Sequence, residues 1–259
     1  MTNANPTDTP MDPGTVKGLR TLPDDAHTPA TITAFQQLVG LLMWLLKTRP
    51  DLCFTVCLLA RYLKCASAEH LKLAMGRPLR YLAGTFGMGV VFQPGSGDWK
   101  LHGASDGDLA GDLSSGRSTL GWDVRMGACG NISSSCFLEK KVCTSTGQAE
   151  TYAFMSLCKE LVWLRHLLQE LGYTQKDASV GLCDNDGVIN QSTKTINHTT
   201  AKHYRIAQAF IRQLCRDDVI TAVAVDTHNN SADLFTKALA FQAFARHRLS
   251  IMGPQAAGA

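Results

Sequence analysis

No two cysteines stand two residues apart and no Cys/His set has zinc-ligand spacing; the nine cysteines, an odd number, are scattered along 259 residues. That distribution excludes a disulfide scaffold or a zinc module and reads as reduced thiols in an intracellular, cytoplasmic protein. No secretory leader is recognisable at the start. The longest uncharged apolar stretch, Phe35 to Leu46 (FQQLVGLLMWLL), stops well short of the roughly 20 residues a membrane-spanning helix needs, so it reads as a buried helix. Neither sign of charge dominates: 25 Lys and Arg against 22 Asp and Glu leave +3. Such a balance does not decide for or against a nucleic-acid partner, because phosphate affinity depends on local arrangement. Internal repeats and low-complexity tracts are missing too, which excludes solenoids. What remains is a chain with 45% hydrophobic side chains, enough for one substantial core or two modest ones.

Residues 1–30, rich in Pro, Thr and Asp and without an apolar period, read as a flexible lead-in. Over residues 31–94 the pattern is that of a small helical unit. The apolar run makes one helix; Pro50 opens a second, on which Leu52, Val56, Leu59 and Leu63 share a face. A third starts near Ser67 but holds Gly76 and Pro78 inside. An interior proline costs about 3 kcal/mol, so a kink or split is expected there. Past Pro94, Gly95 and Gly97, a turn, the texture changes to short strands at Lys100–Asp106, Thr119–Met126 and Ile132–Leu138. A long helix follows, its Phe154, Leu157, Leu161, Leu164, Leu168 and Leu171 falling three or four apart in one stripe. Ser145 and Gln148 fit a capping box at its start, and Gly172 fits its end. A strand at Ser179–Cys183, a helix near Thr199–Arg216, a strand at Val219–Val225 and a last helix from about Ser231 complete a second domain over residues 95–250. A flexible tail is expected at residues 251–259. The order βββαβαβα describes an α/β fold with a mixed sheet and flanking helices.

Such a sheet could bring four acids together: Asp106 on the first strand, Glu150 in the long helix, Asp184 just past the fourth strand and Asp233 opening the last helix. Glu150 is the informative one. It stands four residues before Phe154 and so extends the inward-facing row, an expensive place for an unpaired charge. Hard oxygen ligands converging from several elements suit Mg²⁺ or Mn²⁺. Two such ions about 4 Å apart support hydrolysis of a phosphodiester. Each acid also has a structural reading of its own. Asp233 falls in a first helical turn, where the dipole favours a carboxylate, Asp184–Asn185 is turn chemistry, and Glu150 is an end-of-stripe residue that reaches solvent.

On the helix near 199–216, Lys202, Arg205, Gln208, Arg212 and Arg216 fall three or four apart, opposite Ile206, Phe210 and Leu214. That is either a stripe that follows a phosphate backbone or a solvated face. Ser145, Thr146 and Gly147 offer one glycine before a helix and read as a cap rather than a phosphate cradle. No nucleophile-elbow sequence supports a Ser/His/Asp triad.

The same segments resemble a known family. FQQLVGLLMWLLKTRPDLCF, RYL, GASDGDLAGD, RSTLGW, AETYAF with KELVWLRHLL, LCDNDGVI, KHYRIAQAFIR and ADLFTKAL run in order over about residues 35–250. They are similar to the carboxy-terminal part of copia-type retrotransposon Pol polyproteins. The resemblance implies a ribonuclease H-like mixed five-stranded sheet with flanking helices, preceded by the last helices of a reverse transcriptase. It places the family's acidic positions on Asp106, Glu150, Asp184 and Asp233. It also implies two Mg²⁺ or Mn²⁺ ions, an RNA–DNA hybrid as substrate, and the rest of Pol, the reverse transcriptase above all, as partner. His203 matches a Lys-His pair common in the family, where it either assists near the scissile phosphate or packs. The Tyr-x-Asp-Asp of the polymerase, the protease triplet and the integrase motifs have no counterpart, so polymerisation, proteolysis and integration are not expected.

Departures from the family pattern are equally visible. Residues 134–142 read SSCFLEKKV where a tryptophan and a Ser-Lys-Lys-Gln run are usual. Leu109 replaces an aromatic and Gln148 a common glutamate. These keep open a rival reading, a catalytically inert relic that at most binds nucleic acid or protein.

Overall fold

The computed structural model describes residues 5–22, 27–92, 99–193 and 202–253. Four helices come first: α1 (Pro13–Arg20), α2 (Pro29–Leu45), α3 (Cys53–Ala60), preceded by a 3-10 turn at Pro50–Leu52, and α4 (Ala68–Gly84). Then follow β1 (Leu101–Asp112), β2 (Arg117–Met126), β3 (Asn131–Leu138), α5 (Thr146–Glu170), β4 (Ser179–Cys183), α6 (Asp186–Thr193), α7 (Lys202–Arg216), β5 (Ile220–Ala224), α8 (Asp233–Thr236) and α9 (Phe241–Met252). The five strands lie in the order β3-β2-β1-β4-β5. β1, β2 and β3 form an antiparallel meander, while β4 and β5 run parallel to β1. This is the mixed five-stranded sheet expected, with helices packed around it. Among the described residues no helix is long and apolar enough to cross a membrane.

Local chemistry explains several helix ends. α5 opens on Ser145, whose side chain accepts from the Gln148 amide, while the Gln148 side chain reaches one residue further back, to the Thr144 amide at 2.8 Å. It closes at Gly172, which takes a φ of +87° that suits glycine. α4 opens on a capping box between Ser67 and His70 and, against expectation, runs unbroken through Gly76 and Pro78. Pro78 shares the buried face with His70, Ala74 and Tyr81, so packing offsets the hydrogen bond that the proline cannot make. The lead-in also differs from expectation. Asp12 caps α1 and Pro13 opens it, and Met11, Val16 and Leu19 are buried in the core of the helical part.

Two apolar clusters dominate. One lies between the sheet, α5 and α7 and includes Leu101, Val124, Phe154, Leu157, Leu161 and Ile211. The other joins the helical part to the far end of the chain: Phe35, Leu52, Leu58 and Tyr81 pack in one cluster with Phe235, Phe244 and Ile251. Elements expected to belong to two domains therefore share a core. A buried ion pair braces it, with Arg49 Nη2 2.8 Å from Asp51 Oδ2 and the Tyr81 hydroxyl donating to the same carboxylate.

Three further differences concern the second half. Asn185 does not merely turn the chain. Its Oδ1 accepts from the amides of Gly187 and Val188 and so caps α6, a helix not expected. The last helix is two helices, α8 and α9, and α9 takes in Ile251 and Met252, both buried, where the tail was expected to have begun.

Candidate metal-binding active site

The sheet sets the stage. Asp106 lies midway along β1 opposite Gly121 of β2, and Ser105 pairs with Cys183 of β4, so that Asp184 leaves the sheet beside Asp106. Two glycines then admit the helices. A Cβ on Gly107 would come within 2.7 Å of the Ala149 carbonyl carbon and 2.9 Å of the Glu150 nitrogen. Only glycine lets the first turn of α5 rest on β1 so closely. A Cβ on Gly121 would lie 2.6 Å from Phe235 Cβ, so Gly121 admits α8, which carries Asp233.

All four expected acids converge. One carboxylate oxygen each of Asp106, Asp184 and Asp233 lie within 4.8 Å of one another, and Asp184 forms a second such group with Glu150 and the Cys183 sulfur. Asp106, Glu150 and Asp233 are buried and Asp184 is half-buried. Asp106 accepts from the Thr236 hydroxyl, and the Gly107 amide donates to Glu150.

Burial and the crowding of negative charge act together on these acids. Burial, then Asp106 and Asp184, push the Glu150 carboxyl up to about 9, against the pull of the Gly107 amide and Lys237. Burial and Asp106 raise Asp233 to about 6, with Lys237 opposing. Asp184 is raised by burial and by Asp106. The cluster is therefore short of positive charge, and its hard oxygen donors fit Mg²⁺ or Mn²⁺. The Cys183 thiol is kept protonated by burial and Glu150, which leaves carboxylates as the donor set.

Lys237 escaped the sequence reading. Its Nζ lies 2.9 Å from Asp233 Oδ1 and 3.2 Å from Asp106 Oδ2. Burial disfavours the ammonium, yet Asp106 and Asp233 hold its pKa above the ordinary lysine value. The i, i+4 spacing from Asp233 was a usable signal; the contact across the chain to Asp106 was not. Thr236 and Asn230 were missed for the same reason, the latter donating to the Ser105 carbonyl at 3.0 Å. A cavity of about 1040 Å³ adjoins the cluster, bordered by Asp108, Thr236 and Lys237 and, from the helical part, by Lys17, Arg20 and Arg61.

The basic stripe is rotated from its expected phase. α7 buries Ala207, Gln208 and Ile211, whereas Ile206 is 60% exposed. Gln208 Nε2 donates to Gln191 Oε1, and Arg212, half-buried, donates to the Gln191 carbonyl. Arg205 faces solvent. Lys202 and His203 open α7, but their side chains lie outside the described residues. Near them, Tyr204 reaches the Thr151 hydroxyl at 3.4 Å, one residue past Glu150. Of the altered segment at 134–142, residues 134–138 still form the end of β3, paired with β2.

No family model matches the chain. It is 33% identical over 240 residues to a retrovirus-related Pol polyprotein from transposon TNT 1-94 of Nicotiana tabacum, a match covering 92% of this chain and 18% of that protein. It is 36% identical over 249 residues to the corresponding polyprotein from transposon RE1 of Arabidopsis thaliana, covering 95% of this chain and 16% of that protein. The chain thus spans less than a fifth of these relatives. Among solved structures, RNase H1 from the archaeon Halobacterium salinarum aligns with 53% of this chain and 94% of its own, at 19% identity and a TM-score of 0.39, too loosely to match side chains.

Proposed function

Since the chain belongs to the copia-type retrotransposon Pol polyproteins, we propose that it is a ribonuclease H-type endonuclease cutting the RNA strand of RNA–DNA hybrids. The observation that carries this reading is the convergence of Asp106, Glu150, Asp184 and Asp233, with Asp184 common to two groups of possible ligands. Asp106, Glu150 and Asp184 would hold two Mg²⁺ or Mn²⁺ ions, Asp233 completing the second position. Bound there, such ions would activate a water and neutralise charge on the phosphodiester. The chain's own residues do the rest. The Thr236 hydroxyl fixes the Asp106 carboxylate, the Gly107 amide fixes Glu150, and Arg205 faces the hybrid backbone, with Lys202 and His203 at the start of the same helix as further contacts; Arg212, tied to the Gln191 carbonyl, holds the helix in place. The hybrid is read through its shape and 2′-hydroxyls rather than its bases. The upstream reverse transcriptase, which makes the hybrid, is the partner. Leu41 and Trp44, three residues apart on α2 and exposed to 69% and 71%, offer it an apolar face.

The departures at Leu109 and at residues 134–142 favour the second reading, an inert relic that binds without cutting. One assay separates the two. Purified protein is incubated with end-labelled RNA–DNA hybrid and Mg²⁺ beside Asp184→Asn. RNA fragments are expected from the parent alone, and cleavage no greater than that of the variant would leave only the relic.

A further inference from the structure

We infer that the Lys237 ammonium competes for the cation position between Asp106 and Asp233, so that the position beside Glu150 fills first and the second fills only after Lys237 has turned away. This rests on the metal-site reading above and deepens it.

The geometry makes the two occupants exclusive. Nζ lies 2.9 Å from Asp233 Oδ1 and 3.2 Å from Asp106 Oδ2, on both of the carboxylates that could share one ion with Asp184 in that group. An Mg²⁺ ion needs its oxygens at roughly 2.0–2.1 Å. It cannot take those same oxygens while an ammonium keeps its hydrogen bonds to them, because two cations would then share one small pocket. The group at Glu150, Cys183 and Asp184 makes no such contact with Lys237. Lys237 can also leave. Its side chain is 35% exposed and borders the cavity of about 1040 Å³, so a rotamer change carries the ammonium into open space without unpacking the core. Its backbone stays anchored meanwhile, since Phe235, two residues earlier, is fully buried in the core shared by the helical part and α9.

The test is calorimetric titration of the full chain with Mn²⁺, without nucleic acid, for the parent, Lys237→Met, Lys237→Gln and Lys237→Arg. For the parent, a tighter and a weaker binding step are expected. Removing the charge should tighten the weaker step about tenfold or more and leave the tighter one within about threefold, while Lys237→Arg, which keeps the charge, should behave like the parent. The glutamine variant gives the same comparison if methionine at this place impairs folding, and circular dichroism confirms which variants are folded. A weaker step that is unchanged or weakened in both uncharged variants overturns the inference while leaving the metal site standing. Absence of Mn²⁺ binding by the parent, equal to that of Asp184→Asn, overturns both.

Discussion

Replacing Glu150 by glutamine should stabilise the metal-free protein at neutral and alkaline pH, even though it alters a buried side chain at the centre of the site. Folding raises this carboxyl from 4.5 to about 9. Between those values the folded state binds a proton that the unfolded chain has released, so stability falls as pH rises through the window. At pH 7 the chain has crossed about 2.5 of these pH units, each equivalent to about 1.36 kcal/mol, which gives a penalty of about 3 kcal/mol as an upper limit. Neighbours relax and share the effect, and a retained gain of about 1–3 kcal/mol corresponds to a few degrees in Tm for a chain of this size. Glutamine keeps the volume and still accepts from the Gly107 amide. Melting curves in EDTA from pH 5 to 9 should therefore show the parent losing Tm with pH and Glu150→Gln losing less, the two diverging above neutrality. Saturating Mg²⁺ at pH 8 should reverse the order, because the ion needs the carboxylate. A glutamine variant less stable than the parent in EDTA at pH 8, or two parallel pH profiles, would refute the charge-crowding account of the site.

Gly107→Ala should push the first turn of α5 off β1, since the added carbon would sit 2.7 Å from the Ala149 carbonyl carbon. A loss of about 1–3 kcal/mol, read by denaturant titration, should accompany a fall in hybrid cleavage, and an unchanged variant would show that the helix is not seated this closely. Reversing charge at Arg205, which faces solvent, should weaken hybrid binding by the cleavage-dead Asp184→Asn protein and lower the salt slope by about one. Arg212→Glu should instead cost stability through its bond to the Gln191 carbonyl; fluorescence anisotropy over a salt series, beside melting curves, distinguishes the two.

What could be read from sequence followed periodicity. The long helix repeats at three to four residues, and that period turned Glu150 inward, where the structure places it. Where the deciding contact is remote, the pattern misleads. Pro78 looks like a break until Tyr81 and Ala74 show that it faces the core. Three apolar residues, Met11, Val16 and Leu19, are too few to announce α1. The phase of α7 was misjudged because Gln208 and Arg212 are drawn toward Gln191, a polar contact that no apolar count reveals. Lys237 stands within the ADLFTKAL motif, yet its meaning depends on Asp106, far away on another element. The resemblance supplied the ancestry and the four acids together, whereas spacing alone left each of them with a structural alternative.

The core shared by Phe235, Phe244 and Tyr81 bears on inheritance. Asp233 sits on a four-residue helix whose apolar side is gripped by segments lying more than a hundred residues upstream. In an element that spreads by copying, a lesion in those early helices would travel as damage to the last carboxylate, without touching any acid. The carboxylate cluster and the early helices would then decay as one locus, and a copy keeps the cluster only where both stretches descend together.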